Sequence, residues 1–203
     1  MELLQTMQSR RSIRKFKPDP VPDESIDQLL AAASLAPSGS NLQPARYLVV
    51  KSEAGRAKLA ECTPLPFVAK APVVFICCAD MSAISASGQR FKELKEAGAF
   101  METPLDTVSP ADYSNRRPGM DEAAVKAYLN LNVAIAIDHI TLRAVDLGLG
   151  SCWIMMFDQE KVRKTFGIGE QYLITALLPI GYPDQDPGPR PRLGLDEIVL
   201  KEE

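Results

Sequence analysis

Histidine is nearly missing from this chain. His139 is the single example in 203 residues, and tryptophan also occurs once. A multi-histidine zinc site is therefore excluded, no metal is expected, and any triad built on histidine would hang on one side chain. His139 lies in a long apolar stretch, where a satisfied structural histidine is the favoured reading over a general base. The four cysteines, Cys62, Cys77, Cys78 and Cys152, lack C-x-x-C spacing and sit among apolar neighbours, so they read as reduced core residues. A catalytic thiol at Cys152 would rest only on its flanking glycine turn. No apolar run reaches the ~18 residues of a membrane helix. The early arginines are followed by Ile13-Arg14-Lys15-Phe16-Lys17, the opposite of a secretory signal's apolar core. The expectation is a soluble, cytoplasmic protein with no membrane partner. A net charge of -3 and a pI near 5.4 also argue against nucleic acid as a partner.

What the chain does have is a concentrated basic stretch, Arg10-Arg11-Ser12-Ile13-Arg14-Lys15-Phe16-Lys17. Guanidinium groups match phosphate oxygens two at a time, and Ser12 adds a hydroxyl, so an anionic partner is the functional reading against that of a solvated basic face. A chain of this length buries roughly 70% of its unfolded surface, enough for one domain over residues 1–203. Leu3, Leu4 and Met7 stand at helical spacing and predict a short helix that packs by those three. Pro18, Pro20 and Pro22 force an extended segment. Asp23 or Ser25 then caps a helix with Ile26, Leu29, Leu30 and Ala33 on one face. The polar, turn-rich Pro37-Ser38-Gly39-Ser40-Asn41-Leu42-Gln43-Pro44 follows and suits contact with a polar ligand, although most such segments are only loops.

Strands are predicted at Tyr47–Val50, at the wholly apolar and therefore central Val73–Ala79, and at Tyr172–Tyr182, with a last strand from Glu197 to Lys201. A modest helix is predicted over 52–61. Residues 80–120 show no clean period apart from a short charged helix over 89–97, and read as a lid or dimer-wrapping arm. Asp121 and Glu122 open the longest helix, to about Leu147. Its Val133-Ala134-Ile135-Ala136-Ile137 run is apolar all round, as in a core or subunit interface. Asp158 caps a helix ended by Gly167. Gly148-Leu149-Gly150 is not a dinucleotide fingerprint and follows a helix, so a Rossmann site is unsupported.

In this order, R-R-S-I-R-K-F, P-S-G-S-N-L-Q-P, A-P-V-V-F, the long helix into L-G-L-G-S-C-W-I, and L-P-I-G-Y-P followed by R-P-R resemble the signatures of the nitroreductase family of FMN-dependent oxidoreductases. The resemblance covers nearly the whole chain. It implies an α+β fold, a nitroreductase-like α/β sandwich with a mixed central sheet flanked by helices, in a domain-swapped homodimer with two flavins at the subunit interface. By the same resemblance, Arg10, Ser12 and Arg192, with Arg190, hold the FMN phosphate. Arg14 reaches the pyrimidine edge of the ring, where a fixed positive charge favours the reduced form. Arg11 belongs to the same set, or pairs with an acid. Pro37, Ser38, Gly39, Asn41 and Gln43 come from the partner subunit, and backbone around Trp153, Ile154, Met155 and Met156 lines the ring.

The implied reaction is ping-pong transfer of a hydride from NADH or NADPH, through the flavin, to a small-molecule acceptor such as a nitroaromatic, quinone or enone. Two alternatives stand beside it. One is a specialised flavoenzyme of the dehalogenase or flavin-fragmenting kind, with lid contacts from Glu93, Glu96, Tyr113 and Arg116. The other is a flavin-binding protein without turnover, in which bulky Met155 and Met156 block nicotinamide.

Overall fold

A computed structural model describes residues 2–115 and 119–203, so Arg116 lies outside the described residues. The fold is α+β. In chain order it contains α1 (Leu3–Ser9), α2 (Asp23–Ser34), β1 (Ala45–Val50), α3 (Glu53–Ala60), α4 (Phe67–Lys70), β2 (Val73–Asp80), α5 (Ser87–Glu96), α6 (Pro110–Asn115), α7 (Glu122–Asp146), β3 (Gly150–Ser151), α8 (Gln159–Phe166), β4 (Tyr172–Gly181) and α9 (Leu195–Ile198). The sheet runs β1-β2-β4-β3, and every pair of strands is antiparallel. The mixed sheet expected from the sequence is thus confined, among the described residues, to one isolated parallel bridge between Ser12 and Ser151.

β2 is buried along its whole length. Its side chains alternate between two cores because successive residues of a strand point to opposite faces. Val73, Phe75, Cys77 and Ala79 pack with Leu29 of α2 and with Leu129, Val133, Ile137 and Ile140 of α7. On the other face, Val74, Ile76 and Cys78 pack with Leu59, Cys62 and Val162, the last from α8. Each such aliphatic or aromatic side chain contributes about 1.5 to 3 kcal/mol by leaving water, which makes this strand the mechanical centre of the fold.

Several local expectations meet a different outcome. Leu3 and Leu4 of α1 are each 64% exposed and Met7 is 49% exposed; Thr6 is the residue that α1 buries. α2 begins at Asp23 behind Pro22, with no side-chain cap from Asp23 or Ser25; both acids of its first turn instead lie at the positive end of the helix dipole. The last strand is absent. Residues 195–198 form α9 and 199–203 have no regular structure; within this chain the segment pairs with neither outer strand of the sheet, β1 or β3. Residues 80–115 are more regular than their lack of period suggests. They contain two 3-10 turns, α5 and α6, and are held by Phe91, fully buried and stacked between Phe100 at 4.8 Å and Tyr113 at 4.0 Å.

α7 behaves as its two-sided composition requires. Asp121 caps it by accepting from the Ala124 N–H at 2.8 Å. One face enters the core, whereas Leu131 is 63% exposed. His139 is spent structurally, its Nδ1 lying 3.3 Å from the Ala32 carbonyl. All four cysteines are buried and free.

Candidate functional site

The basic stretch is extended, and backbone bonds stitch it to two other parts of the chain. The Ile13 N–H donates to the Ser151 carbonyl at 2.9 Å, Lys17 N–H to Tyr182 at 2.9 Å, and Asp184 N–H to Lys15 at 3.0 Å. In an extended segment the side chains alternate, so Ile13 is buried (4% exposed) and Ser12 and Arg14 point the other way. Gly150 makes this possible. A Cβ there would fall 2.4 Å from Ile13 Cγ1 and 2.9 Å from its Cβ, so only glycine admits the basic segment beside β3.

Four residues of this set converge on Cys152. Burial raises the Cys152 thiol, against the lowering influence of the Arg14 guanidinium, a Ser12 side-chain hydrogen bond, and the charges of Arg10 and Arg190. Arg10, Arg190 and Arg192 also line a recess of about 410 Å³ with Arg11. The only side-chain hydrogen bonds of Arg14 and Arg192 among the described residues go to the Ser12 and Pro191 carbonyls, at 3.3 and 3.4 Å. Among the described residues no ion pair involves Arg10, Arg14, Arg190 or Arg192. Positive charge gathered without a carboxylate is what an anionic ligand would neutralise. Arg11 differs from its neighbours, donating to the carbonyls of Pro187, Gln8 and Arg10 at 3.1, 2.6 and 2.9 Å. Among the described residues it pairs with no acid; it ties the segment after β4 to the N-terminal stretch.

The Pro37–Gln43 loop forms a second set. Ser40, Asn41 and Gln43 take φ of 53°, 52° and 48°, a left-handed conformation that costs non-glycine residues energy and tends to accumulate where a ligand is met. The surroundings enforce it. Gly39 N–H donates to Asn132 Oδ1 of α7 at 2.7 Å, Asn132 Nδ2 donates to the Tyr128 carbonyl at 2.6 Å, and the Gln43 N–H donates to Ser38 Oγ at 2.9 Å. A Cβ on Gly39 would fall 1.8 Å from Tyr128 Oη. Ser40 Oγ lies 2.6 Å from Tyr113 Oη. Pro37, Ser38 and Gln43 border a cavity of about 240 Å³ with Tyr47, whose buried hydroxyl has no hydrogen-bond partner among the described residues; burial pushes its phenol well up.

The third set, residues 153–156, follows Cys152. Ile154 is buried and exchanges two 3.0 Å backbone bonds with Leu177, while Trp153 packs half-buried against the opposite core. Met155 and Met156 are 69% and 61% exposed, so neither side chain is packed into the chain's own interior. The Met156 carbonyl accepts from Thr63 Oγ1 at 2.6 Å.

The arginine set and the loop line separate cavities and share no hydrogen bond among the described residues. Asn132, Tyr128 and Gly150 escaped the sequence reading. For Asn132 a signal was present, since Asn130 and Asn132 interrupt an apolar helix and a buried amide must find a partner.

The sequence model described as "Nitroreductase family" matches residues 7–64 and 111–182. A protein named NADH dehydrogenase from Thermus thermophilus is 33% identical over 192 residues, covering 94% of this chain and 91% of that protein. A 5,6-dimethylbenzimidazole synthase from Rhodospirillum rubrum is 29% identical, covering 88% of this chain and 81% of its own. Among solved structures, the FMN complex of a protein assigned as a nitroreductase from Exiguobacterium sibiricum superposes with a TM-score of 0.84 at 25% identity, over 100% of this chain and 98% of that one.

Proposed function

Because the chain belongs to the nitroreductase family, we propose that it is a homodimeric FMN-dependent NAD(P)H oxidoreductase, with residues 1–203 forming one flavin-binding unit. The observation that carries this reading is the set of four arginines without ion pairs among the described residues, three of which act with Ser12 on one buried point. Within that set Arg10, Arg190 and Arg192, which line one recess, fit a terminal phosphate in charge and donor type, and Arg14 is left for the ring. Bound FMN would supply the redox chemistry, accepting a hydride from NADH or NADPH and passing electrons to a nitroaromatic, quinone or enone.

In this reading Arg10, Ser12, Arg190 and Arg192 bind the phosphate and Arg14 provides positive charge at the pyrimidine edge. Arg11 holds the backbone that presents them. The loop residues Pro37, Ser38, Gly39, Asn41 and Gln43 serve the flavin of the other subunit. Separate cavities within one chain support that division, since a site using both sets needs a second copy. Main-chain groups of Trp153, Ile154, Met155 and Met156 would line the ring, and the methionine side chains, exposed in the single chain, would be free to cover it.

The second copy also has something to cover. Leu131 on α7, Leu3 and Leu4 on α1, and Leu193, Leu195, Ile198 and Leu200 in the C-terminal arm are all between 59% and 100% exposed. Apolar exposure on this scale favours burial across a two-fold axis. Similarity to a protein named 5,6-dimethylbenzimidazole synthase favours one further reading, a specialised flavoenzyme, here taken as the flavin-fragmenting kind that the family resemblance allows.

The test is the visible spectrum of the purified protein under anaerobic NADH and NADPH, with mass analysis of the released flavin. Bleaching by either nucleotide, and FMN on release, are expected. A flavin that stays oxidised under both nucleotides would leave a storage protein; FAD would refute the phosphate assignment. Loss of total flavin during turnover in air would favour the flavin-consuming reading.

A further inference from the structure

Tyr113 belongs to α6, in the segment where a lid was expected, yet its hydroxyl touches the loop proposed to meet the flavin. Its ring is fixed independently of that contact, stacked on the fully buried Phe91 at 4.0 Å and 13°. The hydroxyl is therefore presented from a rigid support to Ser40 Oγ at 2.6 Å. Ser40 is the first of the three left-handed residues of the loop. On the other side of Ser40, Gly39 N–H is held by the buried Asn132 of α7. The strained turn is thus gripped from two elements far apart in sequence, one in the core and one in the excursion.

We propose that Tyr113 is a positioning residue for the cofactor loop, its hydroxyl holding Ser40 in the left-handed conformation that prepares the loop for FMN. A non-glycine residue leaves the left-handed region unless its surroundings over-determine it. Removing one grip lets the loop sample other conformations, and binding is weakened by the fraction of time the competent one is lost. The excursion therefore contributes to flavin affinity without touching the flavin. This inference rests on the FMN reading above.

Tyr113→Phe removes the hydroxyl and keeps the ring stack; Ser40→Ala breaks the same bond from the loop side. The measurement is the dissociation constant of FMN from the full-length dimer by fluorescence titration of the apoprotein, in the wild type, both single variants and the double variant. Each single substitution is expected to weaken FMN binding about fivefold, the range of one lost hydrogen bond. The double variant should lose less than the sum of the two single losses, because both substitutions remove the same Tyr113–Ser40 bond. Unchanged apoprotein melting in Tyr113→Phe, together with weaker FMN binding, is the signature of positioning and not of general destabilisation. Equal FMN affinity in Tyr113→Phe and wild type, or strictly additive losses in the double variant, would overturn the proposal while leaving the FMN reading intact. Failure of the wild type to bind FMN at all would overturn both.

Discussion

Arg14 and Arg192 carry the same charge, yet the proposed site gives them different work, and the difference is measurable. Arg14→Ala should leave the phosphate grip of Arg10, Ser12 and Arg192 in place, so FMN still binds, while the reduced ring loses its charged partner. A charge-assisted hydrogen bond is worth about 1.5 to 3 kcal/mol. At ~30 mV per 1.4 kcal/mol the two-electron potential should fall by roughly 30 to 65 mV. Arg192→Ala should lower FMN occupancy and leave the potential of the remaining flavin nearly unchanged. Spectroelectrochemistry on both variants decides between these roles, and a larger shift in Arg192→Ala would reverse the assignment. Cys78 offers a pH test. Burial pushes its thiol from the ordinary 9.0 up to about 11, partly offset by the Arg163 charge. The folded state therefore holds a proton that the unfolded chain releases first. This contribution to stability is intact below pH 9 and is lost as pH rises towards 11. Urea unfolding across that window should show the decline, and Cys78→Ala should make it shallower without abolishing it, because burial raises the Cys77 and Cys152 thiols as well.

At the scale of elements, the excursion after β2 is held by an aromatic stack. Phe91→Ala deletes its centre, and a cost of about 3 to 5 kcal/mol is expected for the folding of that segment. Hydrogen exchange should register it as lost protection in α5 and α6, with β2 unchanged. Protection unaltered in α5 would show that the stack is not what orders them. The elements also differ in how plainly their sequences announced them. α8 was legible at both ends, because its signals are local: Asp158 accepts from Lys161 N–H at 2.9 Å, and Gly167 takes the left-handed φ of 62° that ends the helix. The start of α2 was misread because Asp23, Ser25 and the preceding proline are all credible first-turn residues, and only the observed backbone chooses among them. The helical spacing of Leu3, Leu4 and Met7 matches α1, but spacing does not reveal which face a helix buries, and here these three are exposed while Thr6 is buried.

For the molecule as a whole, the exposed apolar residues of α1, α7 and the C-terminal arm predict a dimer that is required for flavin binding. Leu131→Asp places a charge on the open face of α7 without entering the core. It should yield a monomer in sedimentation that has native far-UV dichroism and has lost FMN. A dimer that persists with flavin bound would mean that this face is not the interface. The sequence by itself determined the order of α1, α2, β1, α3, β2, α5, α7, α8 and β4, the central position of β2 and the residues that supply positive charge, since hydrophobic period, capping and guanidinium chemistry act over a few neighbours. Only the tertiary structure decided which arginines stay out of ion pairs among the described residues and which one, Arg11, is consumed by carbonyls. It also decided that Gly150 must be glycine, and that Asn132 and Tyr113 grip one strained loop from opposite sides. Those facts depend on distances between residues separated by tens to more than a hundred positions, which close approach in the fold fixes and local sequence cannot express.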